Sequence, residues 1–167
     1  MKNKILSKNP KHTFELGERL AKHLRPQDVI CLFGPLGSGK TVLTKGVATG
    51  LGLKSNVVSS PTFTFLNIYD SACYMPNHFK RAKRIEKLPL YHFDLYRIEK
   101  TEDLQALGLD EFLYGQGVCV IEWAEKLGSL LPKECLEIKI SHKGETSRQL
   151  AFSAKGKRAK ELLKDLQ

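Results

Sequence analysis

The stretch from residue 29 to residue 41 constrains this chain more than any other. Five consecutive apolar residues, Val29, Ile30, Cys31, Leu32 and Phe33, lead into a glycine-rich turn that closes on Gly39, Lys40 and Thr41. An uninterrupted apolar run bounded by a turn predicts a strand covered on both faces, as in a parallel sheet with helices above and below it. Residues 39–51 then carry helical character until Gly50 and Gly52 stop it. The turn reads Gly34, four residues, then Gly39-Lys40-Thr41, the G-x-x-x-x-G-K-[ST] pattern in a strand-to-helix setting. Its glycines let backbone N–H groups curl around an oxyanion without Cβ clashes. The helix that follows points its positive end at the same place. Lys40 is placed to reach β- and γ-phosphate oxygens and the Thr41 hydroxyl to ligate magnesium, so the unit predicts binding of ATP or GTP with a magnesium ion.

The rest of the chain supplies a fold around that unit. A helix is expected over residues 13–24, with Leu16, Leu20 and Leu24 on one face and Asn9-Pro10 or Thr13 at its start. Strands are expected at 62–69, 90–96, 118–121, 136–140 and 150–153. A helix interrupted at Gly108 is expected over 101–113, and a closing helix carries Ala159, Leu162, Leu163 and Leu166 on one face. Strands interleaved with helices predict an α/β fold: a P-loop NTPase-like sheet flanked by helices, with some antiparallel strands late in the chain. The 167 residues suit a single domain spanning 1–167. Residues 70–89 read as an extended basic loop joining two strands.

Composition narrows the setting. No apolar run approaches the length of a membrane span and the first residues lack the apolar stretch of a signal peptide, so a cytoplasmic protein with no membrane partner is expected. Cys31, Cys73, Cys119 and Cys135 form no C-x-x-C pair, which argues against zinc and for reduced thiols. The formal net charge is +9, of which residues 78–87 hold +4 and residues 155–167 hold +3. Such clusters suit a nucleic-acid or acidic-protein partner, or serve as plain solubilising surface.

Magnesium on a nucleotide calls for a carboxylate, often at the end of a buried strand. Glu122 ends the apolar run 118–121, and Asp94 lies in His92-Phe93-Asp94-Leu95-Tyr96-Arg97. One is a candidate to hold the metal, the other to orient attacking water; either alternatively caps a turn. Ser60-Pro61-Thr62-Phe63-Thr64 offers hydroxyls about twenty residues beyond the loop, where GTPases place a γ-phosphate sensor; a plain turn is the competing reading. With neither N-K-x-D nor D-x-x-G present, ATP is favoured over GTP.

Several blocks, in one order, resemble the TsaE family of small ATPases in bacterial tRNA threonylcarbamoyladenosine synthesis. They are Leu16-Gly17-Glu18-Arg19-Leu20-Ala21, the phosphate loop, Ser60-Pro61-Thr62-Phe63-Thr64, His92-Phe93-Asp94-Leu95-Tyr96-Arg97, Leu107-Gly108-Leu109-Asp110-Glu111-Phe112, Val120-Ile121-Glu122-Trp123 and Leu131-Pro132. The resemblance covers nearly the whole chain. It implies that Leu36, Gly37, Ser38, Gly39, Lys40 and Thr41 wrap the nucleotide phosphates and that Thr41 and Glu122 bind magnesium. It further implies that Asp94 is needed for hydrolysis, that Thr62 is a switch residue, that Trp123 lies near the nucleotide, and that Arg148, just before a late strand, contributes to nucleotide binding. The implied partner is a TsaD–TsaB complex, which the ATPase resets or stimulates; the product is the modified adenosine beside the anticodon of tRNAs that read codons beginning with A.

The chain departs from that pattern between Tyr69 and Leu90, where the family usually has a shorter connection. Residues 78–87 are therefore a candidate contact for tRNA backbone or for an acidic face of the partner complex. Two other functions compete with the ATPase reading. A small-molecule kinase would use Arg81 and Arg84 as a phosphoryl clamp. A nucleotide-dependent binding module would hold a partner in one state and release it in the other.

Overall fold

The computed structural model describes residues 4–54, 58–70, 88–100, 103–104 and 108–166. The apolar run becomes strand β2 (Val29–Phe33) in a seven-stranded sheet that also contains β1 (Lys4–Ser7), β3 (Leu66–Tyr69), β4 (Leu90–Asp94), β5 (Val118–Glu122), β6 (Cys135–His142) and β7 (Arg148–Lys155). The strand order is β1-β7-β6-β2-β5-β4-β3. The four inner strands β6, β2, β5 and β4 run parallel, while β7, β1 and β3 pair antiparallel at the two margins. This is the α/β sheet expected; its antiparallel margins include β3, a shortened form of the strand expected over 62–69, and β1, which the sequence does not mark.

Side chains of a strand alternate between faces, so an all-apolar β2 needs cover on both. Ile30 and Leu32 pack into a core with Leu16 and Leu20 of helix α1 (Pro10–Ala21) and with Leu43 and Val47 of helix α2 (Lys40–Gly50). Cys31 faces the other core, with Phe93, Ile121, Leu127 and Leu109 and Leu113 of helix α3 (Leu109–Leu113). Helix α4 (Gly156–Asp165) closes the chain, burying Ala159 and Leu162.

Helix α1 starts earlier than the leucine spacing suggests. The Asn9 side chain accepts the His12 backbone N–H at 2.8 Å and Pro10 takes the first helical position, where its missing N–H costs nothing. It also ends at Ala21, leaving Leu24 buried in the turn that follows. The strand expected over 62–69 begins only at Leu66. Pro61 instead seeds a turn, its carbonyl accepting the N–H of Thr64 at 3.0 Å and of Phe65 at 2.6 Å, and Phe65 sits at φ 63. The strand expected over 90–96 stops at Asp94, whose Oδ1 accepts the Tyr96 N–H at 3.0 Å and bends the chain out of the sheet. Of the helix expected over 101–113, α3 follows Gly108, which is at φ 60; residues 101–102 and 105–107 lie outside the described residues, as does most of the basic loop, 71–87.

Among the described residues no helix is long and apolar enough to cross a membrane. Cys31, Cys119 and Cys135 are free and buried, and burial pushes the Cys119 thiol up to about 12. Cys73 lies outside the described residues.

Two glycines set how closely α1 approaches α2, the helix that follows the 34–41 loop. A Cβ on Gly46 would lie 2.0 Å from the Phe14 carbonyl oxygen, and one on Gly17 2.4 Å from that of Leu43. Helices α1 and α2 thus touch backbone to backbone, and α2 carries Lys40 and Thr41 at its first turn. Gly46→Ala is expected to cost about 1–3 kcal/mol by overpacking this seam. Urea unfolding should show a lower midpoint at unchanged slope; an unmoved midpoint would mean the two helices part freely.

Candidate nucleotide site

The loop between β2 and α2 takes a shape that only glycine permits at two points. Gly34 stands at φ 141, and a Cβ there would lie 2.3 Å from the Ile140 carbonyl oxygen on β6. Gly39, at φ 101, directly precedes α2 with no side-chain cap, so the orphan N–H groups of the first turn are left for a guest. The α2 first turn carries no acidic residue that would compete with an anion. Ser38 is fully buried and its Oγ has no partner among the described residues, while Leu36 is the exposed tip of the loop.

Lys40 is buried beneath the loop. Its Nζ donates to the carbonyls of Gly34 at 2.7 Å and Pro35 at 3.0 Å, and stands 3.8 Å from the centroid of the Trp123 ring. Burial pulls its ammonium below the ordinary lysine value, against the opposing pull of Glu122, Glu125 and Asp94. Trp123 holds its platform at φ 59, and the Tyr96 ring lies 4.9 Å from it. A left-handed tryptophan is an uncommon conformation, held here between Lys40 and Tyr96.

The two carboxylates meet the loop side by side because β4 and β5 pair in parallel with Asp94 opposite Glu122. Both are buried. Glu122 Oε2 accepts the Thr41 hydroxyl at 2.9 Å. Its Oε1 lies 3.1 Å from Thr44 Oγ1 and 2.8 Å from His92 Nε2. Asp94 Oδ2 accepts the hydroxyls of Ser60 and, at 2.7 Å, Thr62, fastening the Ser60-Pro61-Thr62 turn to the sheet.

The structure therefore gathers Lys40, Thr41, Asp94, Glu122, Thr62 and Trp123 at one end of the central strands. Arg148 reaches the loop from the opposite edge. Its Nε donates to the Ser38 carbonyl and its Nη2 to the Gly37 carbonyl, each at 3.2 Å, while Nη1 donates to Ser147 at 2.9 Å. Its guanidinium thus braces the loop backbone in this structure.

Three members of the cluster were not singled out as site residues from sequence: His92, Thr44 and Ser60. For His92 a signal existed, since it lies two residues before Asp94 and so shares its strand face. Thr44 lies one helical turn beyond Lys40 and Thr41. Ser60 stands two residues from Thr62, in a turn whose direction the sequence does not fix.

A model of the family described as threonylcarbamoyl adenosine biosynthesis protein TsaE matches residues 7–150. The tRNA threonylcarbamoyladenosine biosynthesis protein TsaE of Bacillus subtilis is 40% identical over 158 residues, covering 95% of this chain and 89% of that protein. The protein of the same name from Treponema pallidum is 34% identical over 150 residues, covering 90% and 99% respectively. The crystal structure of Bacillus subtilis YdiB superposes with a TM-score of 0.77 at 37% identity, covering 98% of this chain and 92% of that one. With the phosphate loop, both carboxylates and the sheet order in place, this chain belongs to the TsaE family.

Proposed function

We propose that this chain binds ATP with magnesium at the 34–41 loop and hydrolyses it as an accessory protein of tRNA threonylcarbamoyladenosine biosynthesis, working with a TsaD–TsaB-type complex. The observation that carries this reading is the Thr41 hydroxyl held 2.9 Å from the Glu122 carboxylate beside a buried Lys40, in a chain of this family.

The residues present fit both guests. Among the described residues the buried Ser38 hydroxyl inside the loop has no partner, and the α2 N-terminus has no side-chain cap, as an anionic phosphate requires. Among the described residues no group of three or more His, Cys, Asp or Glu side chains forms a metal cage. Thr41 and Glu122 are two oxygen donors, which suits magnesium, since it keeps waters and phosphate oxygens for its remaining positions. Held by these residues, magnesium would supply charge neutralisation to the phosphates of the nucleotide.

The chain's own residues do the rest. Lys40 leaves the Gly34 and Pro35 carbonyls for the phosphate oxygens, with the Trp123 ring screening it from water. The loop amides share the same charge. Asp94, already a hydrogen-bond acceptor for two hydroxyls, orients the attacking water and gives up the Ser60 and Thr62 hydroxyls as it does so. Thr62 then reports loss of the γ-phosphate to the surface that the partner meets. Arg148 holds the loop backbone at its far edge and contributes to nucleotide binding through the loop.

The test is ATP hydrolysis by the purified protein, alone and then with a TsaD–TsaB pair and tRNA. Stimulation by the pair is the expected result. Phosphoryl transfer to a small acceptor, with no stimulation, would replace this reading with that of a kinase. The basic residues 78–87 remain a proposed contact to tRNA or partner, checked by the salt dependence of complex formation after their neutralisation.

A further inference from the structure

We infer that His92 is a positioning residue that fixes the Glu122 carboxylate for the metal, an inference that rests on the magnesium reading above. His92 and Asp94 share one face of β4, and Val120 and Glu122 share the matching face of β5, with His92 opposite Val120 and Asp94 opposite Glu122. The imidazole is therefore set one pleat behind the two carboxylates. It is wholly buried, and its Nε2 lies 2.8 Å from Glu122 Oε1.

Hydrogen-bond accounting fixes how the pair works. A carboxylate oxygen only accepts, so the hydrogen sits on Nε2. His92 Nδ1 is buried with no partner among the described residues, and a lone pair there is cheaper to leave unmatched than an N–H would be. His92 thus donates in one direction only, to Oε1. Thr44, 3.1 Å from that oxygen, stands at the same side, whereas Oε2 meets only the Thr41 hydroxyl at 2.9 Å among the described contacts. Held at Oε1 by His92 and Thr44 and at Oε2 by Thr41, the carboxylate is restrained in rotation and presents Oε2 to Thr41 and the loop. Thr41 in turn gives its hydrogen to Oε2 and keeps its oxygen lone pairs free for a cation. Outer partners of this type hold ligating carboxylates in register, and their loss typically costs about 10–100-fold in metal affinity.

The experiment is a magnesium titration of the full-length protein saturated with a non-hydrolysable ATP analogue, read by the fluorescence of Trp123, the only tryptophan in the chain. Analogue affinity is measured separately in EDTA. His92→Leu is expected to weaken magnesium binding about 10–100-fold while leaving the affinity in EDTA unchanged. His92→Gln, whose amide nitrogen can take the place of Nε2, should recover magnesium binding to within a few-fold. If His92→Leu does not fold, His92→Asn, whose amide ends short of Oε1, should show the same magnesium loss. A magnesium titration unmoved by these variants, alongside a weakened Glu122→Gln, would overturn the role of His92 and leave the metal site standing. A Glu122→Gln titration that also stays unmoved would instead overturn the metal reading on which the inference rests.

Discussion

Replacing Lys40 with alanine is expected to lower ATP turnover by about 10²–10³-fold, the usual loss when one preorganised donor to a developing charge is removed. The reason lies in what surrounds the ammonium. It is buried among carbonyls and an aromatic face, where its charge acts through little water and is correspondingly strong on a phosphate. The same burial makes Lys40 an uneasy resident, since it already lowers the pKa of the group. Lys40→Ala also leaves the Gly34 and Pro35 carbonyls without their donor, so a modest fall in thermal stability is expected while turnover collapses. A variant that turns over ATP at the parental rate would remove the phosphate loop from the mechanism. Loss of turnover together with loss of folding would be separated from it by thermal unfolding followed by circular dichroism.

Asp94→Asn is expected to lower hydrolysis by about 10²–10⁴-fold, the range for loss of a positioned proton acceptor. Nucleotide binding should survive, because among the described residues the Asp94 side chain makes no hydrogen bond to the 34–41 loop and acts on Lys40 only through its charge; its hydrogen-bond partners are Ser60, Thr62 and the Tyr96 backbone. The substitution also replaces one carboxylate oxygen with a donor, so a hydroxyl of the Ser60-Pro61-Thr62 turn loses its acceptor, at a cost of about 1–3 kcal/mol. Binding retained with hydrolysis lost is the result that assigns Asp94 to the chemical step. Full hydrolysis by Asp94→Asn would leave Asp94 as no more than the anchor of that turn.

How far these assignments could be read without coordinates differs from residue to residue. Lys40 and Thr41 stand in a motif whose strand, turn and helix are contiguous, so local spacing is enough to place them. Glu122 was legible because an apolar strand ends on it, and Asp94 because it sits in a conspicuous block. Neither position shows that the two are opposite each other; that follows from the parallel register of β4 on β5. The Ser60-Pro61-Thr62 turn illustrates the limit from the other side. The turn itself was legible from Pro61, but the β-branched and aromatic residues 62–65 read as the start of a strand, and the pull of Pro61 and of the Asp94 carboxylate kept them in the turn as a clamp. Propensity at that point was overridden by two hydrogen bonds to Asp94, 34 positions from Ser60 and 32 from Thr62.

The sequence alone determined the strand-loop-helix unit and an α/β fold, because each rests on interactions between residues close along the chain. Only the tertiary structure decided the strand order, the antiparallel pairing of β1 and of β3, the backbone contact of α1 with α2 through Gly17 and Gly46, and the gathering of His92, Asp94 and Glu122 at one end of the sheet. These depend on which strand lies beside which, a choice made by burying two faces of one sheet at once. No spacing along the chain encodes it, since sheet neighbours are joined by hydrogen bonds across the fold and not by sequence.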